Sequence, residues 1–439
     1  MSRKYLIDRL TSPLQKFTKE AKSGGIVLGL NVVLALFLAN SPWAEEYFHF
    51  FENRLGFQIN GVSYLDYSLH HWINDGLMAV FFFVVGLELK REMVAGELSN
   101  PRKALLPIGA AIGGMIVPAF IYFCFNQNPE VQHGWGIPMA TDIAFALGVL
   151  YMLGDRVPLS LKVFLTALAI VDDLGAVLVI AFFYTSEISL SNLGIGFALL
   201  FLIYVGKRIG IRNIWFYIVL GIIVWGAFLL SGVHATIAAV LVAFMIPSDV
   251  ELHEKEFVHN IEVYLNKFRR LDPNHRIPTL TENQLVLLEN VARDTRNAIP
   301  PLQRLEHSLH PFVTFIIVPI FALANAGVTL SINVEELFST NVLLGVACGL
   351  FFGKVIGVVG STLLMIKLKL SPFPRGMNFT NLLGLGFLAA IGFTMSLFVT
   401  NLSFDKEIYI NQAKIGIFAA SILGGIVGYF ILKKTGNKG

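Results

Sequence analysis

Two adjacent aspartates, Asp172 and Asp173, lie in the middle of an otherwise uncharged apolar run that extends from residue 163 to residue 184. A run of this length crosses the hydrocarbon core of a bilayer as one helix. A charged side chain at the bilayer centre costs roughly 2.5–3.5 kcal/mol on the insertion scale, and such residues usually mark ion or proton pathways. Any fold of this chain must therefore give both carboxylates a tolerable environment at membrane depth.

Two further apolar runs contain a charge in the same way. Residues 134–153 include Asp142 near their middle, and residues 342–366 include Lys354 at their centre. The composition is 55% hydrophobic and 14% charged, with a mean hydropathy of +0.67, whereas a soluble domain is about 25% charged. The chain is therefore predicted to be an all-α integral membrane protein that moves charge.

Apolar stretches long enough to span a membrane recur along the chain and predict about 12 transmembrane helices. We place them at residues 25–43, 71–89, 105–125, 134–153, 163–184, 191–206, 214–230, 233–247, 311–328, 342–366, 381–400 and 413–432. The resulting organisation is an N-terminal segment, helices 1–8, a polar insertion, helices 9–12 and a short tail, at residues 1–24, 25–247, 248–310, 311–432 and 433–439.

The basic residues predict the orientation. Of the 33 Lys and Arg residues, 29 lie in seven regions that alternate with the others: 1–24, 90–104, 154–162, 206–213, 248–310, 367–375 and the tail. Because cytoplasmic loops are enriched in Lys and Arg, both termini are expected in the cytoplasm. The net charge of +3 is explained by this topology, and no nucleic-acid partner is expected.

The predicted helices contain a candidate inverted structural repeat. The triplet that begins at residue 105 enters from the cytoplasm and the triplet that begins at residue 342 enters from outside. The middle member of each is interrupted, by Gly134, Gly136 and Pro138 in the first triplet and by Gly384, Gly386 and Gly392-Phe393-Thr394 in the second. Paired interruptions of this kind predict two broken, crossing helices that form a binding site. Asp142 would balance the positive helix ends there, and Lys354 the negative ones.

The predicted outer segment 44–70 contains a hairpin signal. Residues 57–64 alternate around Asn60-Gly61, the strongest short-range signal for a β-hairpin. An isolated two-stranded hairpin is marginal in water. The hairpin is therefore expected either to pair with a second protomer or to cover the helix ends.

The insertion 248–310 is polar and contains no apolar span. Apolar residues recur in it at helical spacing, at Phe257, Ile261, Tyr264 and Phe268 and again at Leu285, Leu288 and Val291. One or two surface helices are predicted, which form either a solvated insertion or a regulatory element.

The aspartate pair suggests competition between a proton and a metal ion. Consecutive helical side chains point about 100° apart, so one aspartate faces a cavity while the other pairs elsewhere, with Lys354 as the only base within a predicted span. Carboxylates beside Thr141 suit a hard cation such as Na⁺ or Li⁺. Burial and a neighbouring carboxylate both favour protonation, so one site would carry either the cation or protons.

Two other interpretations of the pair remain. An inert ion pair with Lys354 would leave Asp173 and Asp142 without partners. An intramembrane aspartyl protease needs two aspartates on different helices that face one water, a geometry that adjacent residues do not favour.

The sequence resembles the NhaA-type sodium/proton antiporters over nearly its whole length. The matching stretches begin at Trp72 (WINDGLMAVFF), Val85 (VGLELKRE), Ala140 (ATDIAFALG), Ala167 (ALAIVDDLG), Ser231 (SGVHAT), Arg304 (RLEHSLHP), Phe321 (FALANAG) and Ile391 (IGFTMS).

This resemblance implies a role for each matching residue. Asp173 would be the main cation ligand and proton carrier, and Asp172 would pair with Lys354 when no cation is bound. Thr141 and Asp142 would shape the broken-helix site. A pH-response group would comprise Glu88, Arg91, Glu92, Glu306, His307, His310 and His234. The alternative is that Glu88, Arg91 and Glu92 form an ordinary helix-end charge cluster and that His234 is a satisfied histidine. The insertion 248–310 is longer than the family's usual loop.

We therefore expect a secondary transporter of the bacterial inner membrane rather than an enzyme. It would export Na⁺ or Li⁺ in exchange for protons by alternating access, with electrogenic and pH-regulated transport. It would need no cofactor, contact membrane lipid and form a homodimer through the 57–64 hairpin. Potassium/proton exchange, a passive sodium channel and a membrane-embedded hydrolase are the alternatives.

Overall fold

The computed structural model describes residues 22–59, 62–185, 188–271, 279–329, 334–374 and 376–435. Three sequence predictions therefore fall wholly or partly outside the described residues. They concern the N-terminal segment 1–24, the Asn60-Gly61 turn and the end of the tail 433–439.

The described residues form long helices and one β-hairpin. The helices are α1 Lys22–Ala39, α2 Ala44–Glu52, α3 Leu69–Ala95, α4 Pro101–Phe125, α5 Ile143–Met152, α6 Leu159–Phe183, α7 Leu190–Ile209, α8 Ile214–Leu229, α9 Ala235–Met245, α10 Glu254–Arg270, α11 Glu282–Ala298, α12 Pro301–Asn325, α13 Val342–Lys367, α14 Phe379–Ala389, α15 Phe393–Ser403 and α16 Glu407–Thr435. The strands are β1 Arg54–Ile59 and β2 Val62–Ser68. Short helical turns lie at Glu97–Ser99, Pro129–Gln132, His133–Met139, Gly154–Arg156 and Val334–Leu337.

Each predicted membrane span coincides with an apolar helix. Within the described residues, eight helical segments are long and apolar enough to cross a bilayer, with Pro129–Met152 counted as one of them. Two helix pairs meet the same criterion only together: α1 with α2, bent by 112°, and α14 with α15, bent by 43°. The shorter apolar helices α8 and α9 complete the set. The prediction of an all-α membrane protein is confirmed.

Two helix boundaries differ from the sequence prediction. The ninth predicted span was placed at 311–328, but α12 begins at Pro301, and the twelfth was placed at 413–432, but α16 begins at Glu407. Hydropathy detects only the apolar part of a helix, whereas helical hydrogen bonding continues through flanking polar turns. As a result, Glu306 lies on the membrane helix itself and Lys414 lies two turns inside another.

The hairpin and the insertion adopt regular structure. β1 and β2 pair antiparallel, with Arg54 opposite Ser68, Ile59 opposite Val62 and an irregularity between Leu55 and Phe57. The insertion contains two helices, α10 and α11. A capping box in which Thr281 and Gln284 satisfy each other's backbone N–H groups starts α11.

The helices enclose two apolar cores. The smaller core joins α7, α8 and α9 to α3 and the start of α12, and the larger core holds the rest of the spanning helices. In the larger core α4 lies along α13. A Cβ on Gly357 would overlap the carbonyl oxygen of Gly113, so glycine is needed for this close approach. The approach positions Lys354 of α13 beside the middle of the bundle.

Candidate functional site

The two interrupted helices meet at their breaks. The turn His133–Met139 and α5 are separated by residues 140–142, and α14 and α15 are separated by residues 390–392. The Asp142 N–H donates to the carbonyl oxygen of Ile391 at 2.6 Å. A Cβ on Gly392 would lie only 3.1 Å from the Ala140 carbonyl oxygen, so this crossing requires a residue without a side chain. The breaks expose backbone groups that side chains must satisfy.

Asp142 caps two helices at once. Its Oδ1 accepts from the N–H of Phe145 at 3.0 Å, in the first turn of α5. Its Oδ2 accepts from Thr394, from the N–H at 3.0 Å and from the hydroxyl at 2.5 Å, in the first turn of α15. A carboxylate is favourable at a helix N-terminus because the N–H groups there carry partial positive charge. The buried Asp142 thus compensates the positive ends of both broken helices.

Lys354 lies at the opposite kind of helix end. It follows the π-helical turn Gly349–Gly353, and its side chain is completely buried. Its Nζ donates to the carbonyl oxygen of Met139, the last residue before the first break, and to Asp172 Oδ2 at 2.7 Å. The ammonium group therefore compensates a negative helix end and one carboxylate together.

Asp172 and Asp173 project from the middle of α6 and are both buried. The Thr141 hydroxyl lies 2.9 Å from Asp172 Oδ2 and 2.9 Å from the carbonyl oxygen of Ala389, and with one proton it donates to one of them at a time. Asp172 Oδ1 and Asp173 Oδ1 have no hydrogen-bond partner in the described part of the chain. Buried polar atoms are normally satisfied, so these two oxygens are available to another ligand.

This arrangement can bind one small cation or hold protons. Two open carboxylate oxygens, a hydroxyl and nearby carbonyl oxygens are the ligands that hard cations take. Protonation of a carboxylate removes its charge and converts one oxygen into a donor. A cation and a proton therefore compete for the same oxygens, and Lys354 competes with both for Asp172.

The predicted pH-response residues are only partly brought together. Arg91 lies 2.5 Å from Glu306 (Nη1 to Oε1) and 3.0 Å from Glu92 (Nη2 to Oε1), so it joins α3 to α12. Glu306 is buried and Glu88 is partly buried. Glu92 also accepts from the N–H of Glu97 at 3.1 Å.

The three predicted histidines lie outside this ion-pair group. His307 and His310 are exposed on α12, and neither forms a salt bridge among the residues that the structure describes. His234 precedes α9, and its Nε2 lies 2.7 Å from the carbonyl oxygen of Tyr184 at the end of α6. The structure therefore gives His234 a hydrogen bond of its own, away from Arg91 and Glu306.

Several polar residues of the buried core were missed from the sequence. Thr394 is the main partner of Asp142, and its position directly after Gly392-Phe393 was the available signal. The expectation that Lys354 is the only base within a span is wrong: Lys90 Nζ donates to the carbonyl oxygens of Phe244 and Ile246, and Lys414 Nζ to that of Gly327. Both lysines lie inside helices that extend beyond the apolar runs, which is why hydropathy did not reveal them.

A second buried polar group was also not predicted. Asn325 on α12 donates to Asn74 Oδ1 at 2.9 Å and accepts from the Asn401 amide, and its Oδ1 lies 2.9 Å from His70 Nε2. The group joins α3, α12 and α15. Asparagine and histidine raise hydropathy too little to be recognised as a cluster before the helices are packed.

Comparison with known proteins agrees with the resemblance. The profile of the family described as Na⁺/H⁺ antiporter 1 matches residues 15–432. The chain is 48% identical to "Na(+)/H(+) antiporter NhaA 2" of Syntrophotalea carbinolica, with 98% of each chain covered. It is 46% identical to "Na(+)/H(+) antiporter NhaA 1" of Saccharophagus degradans, with 98% of this chain and 93% of the relative covered. It is also 46% identical to "Na(+)/H(+) antiporter NhaA" of Oleidesulfovibrio alaskensis, with 97% and 95% covered.

Proposed function

The chain belongs to the Na⁺/H⁺ antiporter 1 family, and from this premise we propose that it exports Na⁺ in exchange for protons by alternating access to one carboxylate site. The expectation of a secondary transporter rather than an enzyme is confirmed. The exchanged ions, Na⁺ and H⁺, are those named for its relatives.

One observation supports the proposed site above all others. Asp172 and Asp173 are buried side by side, and each keeps a carboxylate oxygen that no described residue satisfies. An ionised carboxylate in an apolar interior is costly unless a proton or a cation compensates it. Asp173 has no ion-pair partner among the described residues, whereas Lys354 holds Asp172. We therefore assign Asp173 as the main cation ligand and proton carrier, with Asp172 as the second ligand.

Lys354 gives the exchange cycle its empty state. A cation that binds both aspartates takes over the Asp172 Oδ2 that the ammonium group contacts at 2.7 Å. When the cation leaves, the ammonium group returns and prevents two bare carboxylates from facing each other. Thr141 and Asp142 keep the breaks in register, and movement of the broken helices against the remaining bundle opens the site to either side.

The finer properties of transport follow from the same site. A lithium ion prefers the same oxygen ligands, so we expect Li⁺ to replace Na⁺. More protons moving inward than sodium ions moving outward would make transport electrogenic. The Arg91 bridge between Glu92 and Glu306 supports a role of this cluster, with Glu88, in pH regulation. His307, His310 and His234 are weaker candidates, since the described structure gives them no ion pair with that cluster.

The protein is a multi-pass membrane protein. We propose that it lies in the bacterial inner membrane with both termini in the cytoplasm, because the basic residues alternate between loops as the positive-inside rule requires. We also propose a lipid-embedded homodimer that pairs through the 57–64 hairpin, since β1 and β2 form a sheet of only two strands, which is marginal alone.

The test is ion exchange in proteoliposomes. Purified protein is reconstituted with an acidic lumen and a lumenal pH dye, and NaCl, LiCl or KCl is added outside. Exchange predicts that Na⁺ and Li⁺ raise the lumenal pH, and that a change in membrane potential imposed with valinomycin alters the rate. A pH change with KCl alone would instead indicate potassium/proton exchange. Sodium flux that persists without any proton movement would indicate a channel and overturn the proposal.

A further inference from the structure

A two-helix arm, formed by α10 and α11, stands outside the membrane-spanning bundle. The arm is held at its base: the N–H groups of Glu251 and Leu252 both donate to the Asn297 carbonyl oxygen, at 3.0 and 3.1 Å, and the Leu302 N–H donates to that of Pro247 at 3.1 Å. Arg212 also pairs with Asp249 at 2.7 Å. The base fixes the direction in which the arm projects.

The two helices of the arm pack through one seam. Phe257, Ile261, Tyr264 and Phe268 of α10 are half-buried, with the spacing of a coiled-coil seam. Buried Asp294 of α11 accepts from Asn260 at 2.9 Å and from the Tyr264 hydroxyl at 3.1 Å. These contacts identify the sides that the helices turn towards each other.

A second seam on α11 is exposed. Its members alternate at spacings of four and three residues, and they are Thr281, Leu285, Leu288, Ala292, Thr295 and Ile299. The leucines at 285 and 288 are 48% and 43% exposed and Ile299 is 40% exposed. Helices that carry heptad seams bury them against another helix. Since Leu285 and Leu288 were expected to lie on one helix face with Val291, the structure separates them: Val291 is half-buried and the two leucines face outwards.

The exposed residues of α10 lie on the same side of the arm. Val258 and Leu265 are 47% and 50% exposed and follow the α10 seam residues Phe257 and Tyr264 by one position, which is about 100° around the helix. Leu285 follows Gln284 of the α11 seam in the same way. Because α10 and α11 run antiparallel, equal rotations from the shared seam bring both sets to one side. Val258, Leu265, Leu285, Leu288 and Ile299 therefore form one apolar face of the arm.

The charges around this apolar face argue against a lipid surface as its partner. Helices that lie on membranes are rich in Lys and Arg on their polar side. Here four acidic and three basic side chains border the face: Glu254, Glu262, Glu282, Glu289, Lys255, Arg269 and Arg296. A mixed border with an acidic excess gains little from anionic lipid and suits a protein surface of mixed charge.

The border of α10 is complementary to itself. If two copies of α10 pack antiparallel about a point between Ile261 and Glu262, Val258 lies opposite Leu265 of the second copy. In the same register Glu254 lies opposite Arg269 of the second copy. Neither Glu254 nor Arg269 forms a salt bridge with any described residue. Complementarity of a surface with its own copy is what a two-fold interface requires.

We propose that the apolar face of the arm binds the same face of a second copy of this chain, so that two arms form a four-helix contact. Two amphipathic hairpins that share their apolar faces give an ordinary four-helix bundle. The contact is separate from the pairing proposed for the 57–64 hairpin and does not depend on the chemistry of ion exchange.

Single-cysteine cross-linking tests the register. Cys124 and Cys348 are replaced by Ala, and Glu262→Cys is compared with His259→Cys, which is exposed on the other side of α10. In lipid vesicles the proposed axis brings residue 262 of the two copies together, so the 262 variant is expected to form disulfide dimers at least about tenfold faster than the 259 variant. Equal rates, or no dimer from residue 262, would overturn the proposal.

Charge exchange and an additional probe identify the occupant. In the Glu262→Cys background, Glu254→Arg is expected to slow cross-linking, and adding Arg269→Glu is expected to restore it; failure of restoration contradicts the register. A photoreactive side chain at Leu288 should couple to α10 or α11 of another copy. Coupling to lipid, or to residues 1–21 of its own chain, would overturn the proposal. Sodium-dependent proton exchange is measured on every variant, since folded variants retain it whatever the arm binds.

Discussion

The carboxylates of the buried core differ in how completely they are satisfied. Both oxygens of Asp142 accept hydrogen bonds from the first turns of α5 and α15. Asp172 has one oxygen engaged, and Asp173 Oδ1 has no partner in the described structure. All three side chains are almost inaccessible to solvent. Burial therefore does not separate a structural carboxylate from a transporting one, whereas the number of donors around each oxygen does.

The largest expected effect is that of Asp173→Asn on transport. The amide keeps the shape of the side chain but loses the charge and the titration that exchange requires. We expect sodium-dependent proton movement to fall to the level of empty liposomes while the unfolding temperature is maintained. Asp173→Glu, which keeps a carboxylate, should retain part of the activity. Normal exchange by Asp173→Asn would place the site elsewhere.

Lys354→Ala should cause the largest loss of stability. It leaves Asp172 buried without its counter-charge, and breaking a buried pair in this way costs roughly 3–5 kcal/mol. Combining it with Asp172→Ala removes the stranded charge and should recover part of the loss. Thermal unfolding of the detergent-solubilised variants measures both. A double variant as unstable as the single one would mean that Lys354 acts mainly through the Met139 carbonyl oxygen.

Asp142→Ala should have a smaller effect on stability, and a different one on transport. It removes the caps of two helix starts, each worth about 1 kcal/mol, so a loss of about 2 kcal/mol is expected. Asp142→Asn retains an acceptor and should lose less. If Asp142 is structural, proteoliposomes with the Asn variant keep exchange. If exchange disappears while the unfolding temperature is unchanged, Asp142 and Asp173 do not differ in the way the hydrogen bonds indicate.

The smallest effect on stability is expected at the Arg91 group. The Arg91 side chain is 37% exposed, so Glu306→Gln should change the free energy of unfolding by no more than about 1 kcal/mol. Because the amide cannot titrate, the dependence of exchange rate on pH should become flatter. His307→Gln, exposed one residue away, is the matched control and should leave the profile unchanged. Identical profiles for Glu306→Gln and the parent protein would exclude this group from regulation.

Much of the fold could be predicted from the sequence because lipid imposes a simple rule. Every backbone group in hydrocarbon must be satisfied within a helix, so apolar runs reveal helices directly. The interruptions at 140–142 and 390–392 were predicted from glycine and proline for the same reason. The starts of α12 and α16 were not, since polar turns outside the apolar run carry no hydropathy signal.

The sequence by itself determined that charged residues lie within membrane helices and which family the chain belongs to, because apolar runs and long motifs are local properties. Only the tertiary structure decided which charge meets which group: that Thr394 saturates Asp142, that Lys354 takes Asp172 and not Asp173, and that Leu285 and Leu288 face outwards from the arm. These outcomes depend on distances between segments far apart in the chain, and such distances are set by the packing of whole helices.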